Sequence, residues 1–203
     1  MGKVKIKKND VWIDMTPMSD VMVLLLTFFM LTSTFVKNEP VKVITPGSVS
    51  EIKVPEKDVL NILVAKNGKV FMNIDNQLDL ESVLTGMTGV YGVSLNAEQT
   101  KKFVKEPMFG VPMDQLSDYL DQSPSKMQEI IGKMGIPTDS IDGKKSEFQN
   151  WVDQAMQNND KIKIAIKADA NTPYKVVKKI MSELQDMSQN RYYLITSYKK
   201  TED

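Results

Sequence analysis

The 203-residue chain carries 26 basic and 26 acidic side chains, so its formal charge is zero and no long-range field draws it to nucleic acid or to an anionic substrate. It has no cysteine, which excludes disulfides, thiolate nucleophiles and cysteine-held metals. It has no histidine either, which removes the commonest general base and metal ligand and leaves proton handling to carboxylates, lysines or tyrosines.

Lys3, Lys5, Lys7 and Lys8 give residues 1–15 a basic character just ahead of an apolar run. Val21 to Val36 contains no ionisable side chain. Sixteen helical residues rise about 24 Å, short of a hydrocarbon core of about 30 Å. Starting the helix at Thr16 or Pro17 closes that gap and predicts a membrane span over residues 16–36, with Thr16 as N-cap and Pro17 in the first turn. The lysines on the amino side keep that end cytoplasmic and place the chain beyond Val36 on the other side of the membrane. A cleaved signal peptide shares the basic start, but this run is longer than a signal core, contains Pro17 and Asp20, and has no alanine before a cleavage point.

Asp20 lies at the mouth of the run. On a helix it shares a stripe with Val23, Leu24, Thr27, Leu31 and Thr34, so one face carries a carboxylate and two hydroxyls. Spacing alone leaves two places for it: wet at headgroup level, as for Asp14, or inside the membrane's edge. An aspartate at the bilayer centre costs about 2.5–3.5 kcal/mol on insertion scales, and less near an interface. Desolvation there penalises the ionised form, so one carboxyl group can take up and release a proton.

Residues 37–57 hold Pro40, Pro46 and Pro55 and no helical period, which reads as an extended linker or an edge strand. From Asp58 two apolar runs flank Lys66-Asn67-Gly68, a hairpin signal. Asp79 is placed to cap a short helix containing Leu80, Val83, Leu84 and Met87. Residues 86–145 read as a mostly helical insertion that opens in a loop at Gly86, Gly89 and Gly92. Within it Asn96 caps one segment, residues 113–120 are weakly helical, and Ser123-Pro124 opens another helix. In that helix Met127, Ile130, Ile131 and Met134 form a core-facing stripe.

A helix over residues 146–158 buries Phe148, Trp151, Val152, Ala155 and Met156. Next comes an alternating strand with Ile162, Ile164, Ile166 and Ala168 on one face and lysines on a wet side. Asn171 or Thr172 caps a helix with the stripe Val176, Val177, Ile180, Met181 and Leu184, and residues 191–198 supply a last strand. Together these predict a small α/β (α+β) domain over residues 58–203, a mixed sheet with helices on one face, preceded by a single N-terminal transmembrane helix. Asp169 reads as turn chemistry ahead of a helix, because no base, nucleophile or metal cluster accompanies it. No phosphate loop occurs, so the chain reads as a non-enzyme without cofactor or metal.

The string "IDMTPMSDVMVLLLTFFML" resembles the membrane segment of the ExbD/TolR family, single-span partners of ExbB-, TolQ- and MotA-type channels. Thr16, Pro17, Asp20 and Val21 fill that family's Thr-Pro-x-x-Asp-Val step. "VKVITPGS" is similar to its Val-x-Val-x-Leu-Pro linker motif, carried here by Val41, Val43 and Pro46, with Thr45 in place of the leucine. Asp169, Pro173 and Tyr174 match its Ala-Asp-x-x-x-Pro-Tyr loop. The resemblance implies that Asp20 carries protons, with Pro17 from the motif and Thr27 from the shared face supporting it. It further implies a bacterial inner-membrane protein with a periplasmic C-terminus and, as partners, an ExbB-like ring, a TonB-like protein and a second copy of itself. The function implied is that of a proton-motive-force-driven motor subunit energising outer-membrane transport. A TolR-like subunit of an envelope system and a membrane-tethered binding module are the alternatives.

Overall fold

The computed structural model describes residues 14–33, 41–48, 55, 57–139 and 145–198. The predicted basic tail up to residue 13, the end of the predicted span at 34–36 and parts of the predicted linker, 37–40, 49–54 and 56, lie outside the described residues. So do 140–144 of the predicted insertion. The chain divides into two units, residues 1–37 and 38–203.

The first unit contributes one helix, α1, Thr16–Thr32. Leucine and methionine lose little freedom in a helix, no glycine interrupts them, and Pro17 supplies a preset φ in the first turn. The cap differs from expectation: Met15, not Thr16, occupies the N-cap. Asp14 is the reason. Its carboxylate accepts the Thr16 N–H at 3.0 Å and also the Thr16 hydroxyl, so Thr16 is drawn into the first turn. Seventeen residues rise about 25 Å. Among the described residues no helix is long and apolar enough to cross a membrane.

The second unit runs β1 (Gly47–Ser48), β2 (Val59–Val64), β3 (Val70–Ile74), α2 (Gln77–Tyr91), α3 (Ala97–Lys105), α4 (Leu116–Leu120), α5 (Pro124–Ile131), α6 (Glu147–Asn158), β4 (Lys163–Ala168), α7 (Tyr174–Asp186), β5 (Tyr192–Leu194) and β6 (Ser197–Tyr198). The main sheet has the order β3-β2-β4-β5, with β3 antiparallel to β2 and the other neighbours parallel. It is therefore a mixed sheet in an α+β fold, as the alternation of patterns predicts. β1 and β6 form a separate parallel pair. The β2–β3 hairpin turns where Asn67-Gly68 predicts. In that turn Gly68 takes a left-handed φ, +78°, its N–H donates to the Ala65 carbonyl at 2.8 Å, and the Asn67 side chain accepts from the Lys69 N–H.

Register puts Leu60, Ile62 and Val64 beside Ile164, Ile166 and Ala168, and across from Ile74, Met72 and Val70. The core these residues form also takes Leu80, Val83, Leu84 and Met87 of α2, Phe148, Trp151, Val152 and Ala155 of α6, and Ile180 and Leu184 of α7. Each large apolar side chain among them contributes about 1.5–3 kcal/mol on burial. Residues 86–139 share the same core, through Phe103, Phe109, Met113, Leu116, Leu120, Met127 and Ile131. Phe109 adds a bridge at the free edge of β3, exchanging both backbone hydrogen bonds with Met72 at 2.8 Å.

Local readings fail at several points, each for a physical reason. Asn76, not Asp79, caps α2, because its side-chain oxygen reaches the Leu78 N–H at 3.1 Å. Asp79 instead accepts from Asn158 and Asn159. Gly86 and Gly89 lie inside α2 rather than in a loop, and only Gly92, with φ +66°, ends it. A Cβ at Gly86 would fall 2.0 Å from Gln154 Oε1 of α6, so a side chain there requires the flexible end of Gln154 to move aside. The supposed wet side of β4 is partly closed: Ala165, between Asn61 and Tyr193, is buried, and Lys167 is half-buried. The predicted last strand is two. The Ile195 N–H still donates to the Ile166 carbonyl at 2.8 Å, and the chain then leaves the main sheet as the Pro46 carbonyl claims the Ser197 N–H, at 3.0 Å. Pro173, not Asn171 or Thr172, holds the N-cap of α7, since both of those side chains are engaged elsewhere.

Candidate functional site

α1 buries none of its residues. Its apolar side chains are exposed on all sides, up to 87 % for Leu31. A helix that is apolar all round needs a nonaqueous surrounding or partner helices to cover it. Its hydroxyls are satisfied within the segment: Ser19 donates to the Met15 carbonyl, Thr27 to Leu24 at 2.9 Å, and Thr32 to Phe28 at 2.8 Å. Such back-bonding is what a helix in hydrocarbon requires. Asp20 is different. Among the described residues its carboxylate makes no hydrogen bond and no ion pair, although it stands in the first half of an apolar helix.

The three residues singled out on this segment lie on one helix but not in contact. Pro17 sits in the first turn, Asp20 one turn further, and Thr27 two turns beyond Asp20 on the same side, about 10 Å along the axis. The Thr27 hydroxyl spends its proton on Leu24, so it offers its remaining lone pair outward.

In the second unit the structure joins two stretches that sequence separates by 125 residues. Val41 and Val43 are half-buried against the core, whereas Ile44 beside them is 72 % exposed. The Ile44 N–H donates to Asp169 Oδ2 at 2.9 Å, and the Ile44 carbonyl accepts the Ala170 N–H at 2.8 Å. Further on, the Thr45 and Pro46 carbonyls accept the Ser197 hydroxyl, and Gly47–Ser48 pairs with Ser197–Tyr198. Asp169 is 8 % exposed. Its Oδ1 accepts the Asn171 N–H at 2.9 Å and the Asn171 side chain at 3.2 Å, the turn geometry predicted for it. The Asn171 N–H and then the Ile44 N–H, with the charge of Lys66 adding to them, hold its carboxyl below the usual carboxylate range. The contact between these two stretches has no local signal in the sequence: an extended backbone segment docks through groups every residue carries.

Sequence reasoning also misses Glu183 of α7. It is 7 % exposed, accepts the Ser146 hydroxyl at 2.7 Å, and burial pushes its carboxyl above the ordinary value. A charged residue one position before Leu184 in an apolar stripe is the only hint the sequence holds. A groove of about 980 Å³ is lined by Tyr91, Pro112, Asp114, Glu147 and Asn150 among others. Several of its polar groups are engaged internally: Glu147 accepts the Met113 N–H and the Trp151 ring N–H, and Asn150 donates to the Tyr91 hydroxyl. Among the described residues no group of carboxylates is placed to hold a metal ion.

The protein family described as biopolymer transport protein ExbD/TolR matches residues 7–199 of the chain. No curated protein and no solved structure matches it.

Proposed function

Since this chain belongs to the ExbD/TolR family of biopolymer transport proteins, we propose that it is an inner-membrane subunit of a motor driven by the proton-motive force. In this reading residues 16–36 span the membrane with the N-terminus cytoplasmic, and Asp20 takes up and releases the proton. The observation that carries it is the Asp20 carboxylate, which has no partner among the described residues, on a helix whose apolar side chains are exposed. An acid of structural purpose would have a donor beside it, as Asp169 does.

The mechanism rests on the two states of one carboxyl group. Ionised, it favours polar groups on a surrounding ring of ExbB-like subunits. Protonated, it tolerates an apolar wall. That difference in affinity between the two states is what shifts the helix between positions as protons pass. Thr27, further along the same stripe, extends the polar path, and Pro17 fixes where the helix and hence Asp20 begin. Two copies sit within the ring, and the folded unit passes the motion through the linker motif at Val41, Val43 and Pro46 to a TonB-like protein that energises outer-membrane uptake.

The test is Asp20→Asn in cells dependent on such uptake. The amide cannot titrate, so uptake stops while the protein stays inserted and folded. Full uptake overturns the reading and leaves α1 as a tether for a binding module. Uptake retained with envelope integrity lost replaces it by a TolR-type role.

A further inference from the structure

The segment Val41–Ser48 is a strap laid on the folded unit, and it is held lightly. None of its residues is fully buried, Ile44 and Pro46 are exposed, and β1 is two residues long. Its attachment includes Val41 and Val43 against the core, one pairing with β6, the Ser197 bonds, and the two hydrogen bonds that Ile44 makes to Asp169 and Ala170. Few buried contacts and exposed backbone bonds mark the element that opens first. Asp169 divides its two oxygens between different tasks. Oδ1 serves the turn that leads into α7, and Oδ2 alone serves the strap.

We infer that Asp169 is the latch of this strap, a positioning residue that keeps residues 41–48 docked and lets them part from the folded unit without unfolding it. The strap is the first described segment after the first unit ends at residue 37, so load passed along the chain meets the latch before it meets the sheet. In that last respect the inference rests on the motor reading; the latch itself does not.

The chemistry supplies a selective variant. Asparagine keeps one oxygen and replaces the other by an N–H donor. The oxygen already accepting two donors is the one to be retained, so in Asp169→Asn the turn persists while a donor faces the Ile44 N–H. Backbone hydrogen exchange on the full-length protein in lipid nanodiscs reads this residue by residue. Exchange at Ile44, Ala170 and Ser197 rises on the order of tenfold, while Asn171, Thr172 and the β2 amides keep their wild-type rates. Wild-type exchange at Ile44 overturns the latch. General loosening of the unit overturns it too, because Asp169 is then only a structural residue of the fold. Ile44→Pro approaches from the other side, deleting the donor and leaving Asp169 intact; unchanged protection at Ala170 and Ser197 overturns the inference.

Because the chain has no cysteine, Gly47→Cys with Ser197→Cys, a directly paired position, forms a clean lock. Oxidised, the locked protein fails in uptake and recovers on reduction. Full uptake in the oxidised form overturns the working role of the strap and leaves the Asp20→Asn result standing. If instead Asp20→Asn transports normally while the exchange pattern appears, the motor reading fails and the latch survives.

Discussion

Asp20 on α1 and Glu183 on α7 both stand among apolar side chains, yet of the two only Glu183 has a hydrogen-bond partner among the described residues. Ser146 at the start of α6 donates its hydroxyl to Glu183, and Gln149 reaches the Glu183 carbonyl at 3.4 Å. The same economy holds across the folded unit: Gln99, Ser146, Gln149 and Asp169 are buried and all are bonded, and no buried side-chain polar atom lacks a partner among the described residues. A polar group whose needs are met locally is held in one state by the fold. One left without a partner on an apolar helix is free to respond to something the chain itself does not supply. In the proposed reading Asp20 is the acid that works in this molecule, set apart from the bonded acids that build it.

The sharpest way to break that contrast is to neutralise each side in turn. Asp20→Asn replaces the carboxyl by an amide and removes no hydrogen bond to a described residue, so on the proposed reading uptake falls to background while the thermal unfolding of the folded unit is unchanged. A shift in that unfolding would mean that Asp20 is structural after all. Trp151→Ala does the reverse. The ring stacks on Phe103 with centroids 6.1 Å apart and packs on Phe109 at 4.6 Å, and it is almost wholly buried. Its loss costs about 3–5 kcal/mol, read by denaturant unfolding of the folded unit.

How far the sequence reaches is visible in the same residues. Trp151 and its neighbours in α6 are legible because apolar residues at helical spacing mark a buried face, and the cap at Ser146 is written two positions before Phe148. The hairpin is legible because one turn needs one glycine. What Trp151 packs against is not, since Phe109 is brought in by its backbone bridge to Met72 and Phe103 packs on Phe109 from α3. Gly86 misleads because a glycine inside a helix looks, in one dimension, like a glycine that ends one. Asp20 is legible as an oddity from composition alone, while the partners of Asp169 and Glu183 lie 125 and 37 residues away.

Ser146→Ala takes away both the cap on the Gln149 N–H and the donor to Glu183, which leaves a buried acid without its hydroxyl. The expected loss is about 1–2 kcal/mol of unfolding free energy, smaller than that of the tryptophan but above that of an ordinary surface change. Glu183→Gln sharpens the same point through pH. Burial raises the Glu183 carboxyl, an effect the Ser146 hydroxyl and Lys179 partly offset. Between the ordinary value and the raised one the folded form keeps a proton that the unfolded form releases. Stability therefore falls as pH rises through that interval, and the amide abolishes this part of the slope and gains stability near neutrality. Asp169 carries the opposite sign: its stabilisation is complete above the ordinary carboxylate value and is lost as pH falls through the lowered one. Melting temperatures of wild type and Glu183→Gln between acid and neutral pH distinguish the two; parallel curves would show that Glu183 titrates as if exposed.

Thr27→Val is the smallest change and tests how far along α1 the working stripe extends. Valine keeps the shape of threonine, and the hydrogen bond it deletes goes to the Leu24 carbonyl of the same helix, which remains bonded within the helix. Stability and insertion are therefore untouched. What is lost is one outward lone pair on the face of Asp20, about 10 Å further along the helix. A polar path that runs past Thr27 weakens, and uptake drops by a factor of roughly two to five, the size expected for one neutral hydrogen bond of about 0.5–1 kcal/mol. Thr32→Val serves as the control, since its hydroxyl is back-bonded in the same way to Phe28 but lies twelve residues from Asp20, off its face. Equal losses in the two variants would mean that hydroxyls matter to α1 only as helix packing, and the stripe would then shrink to Asp20 alone.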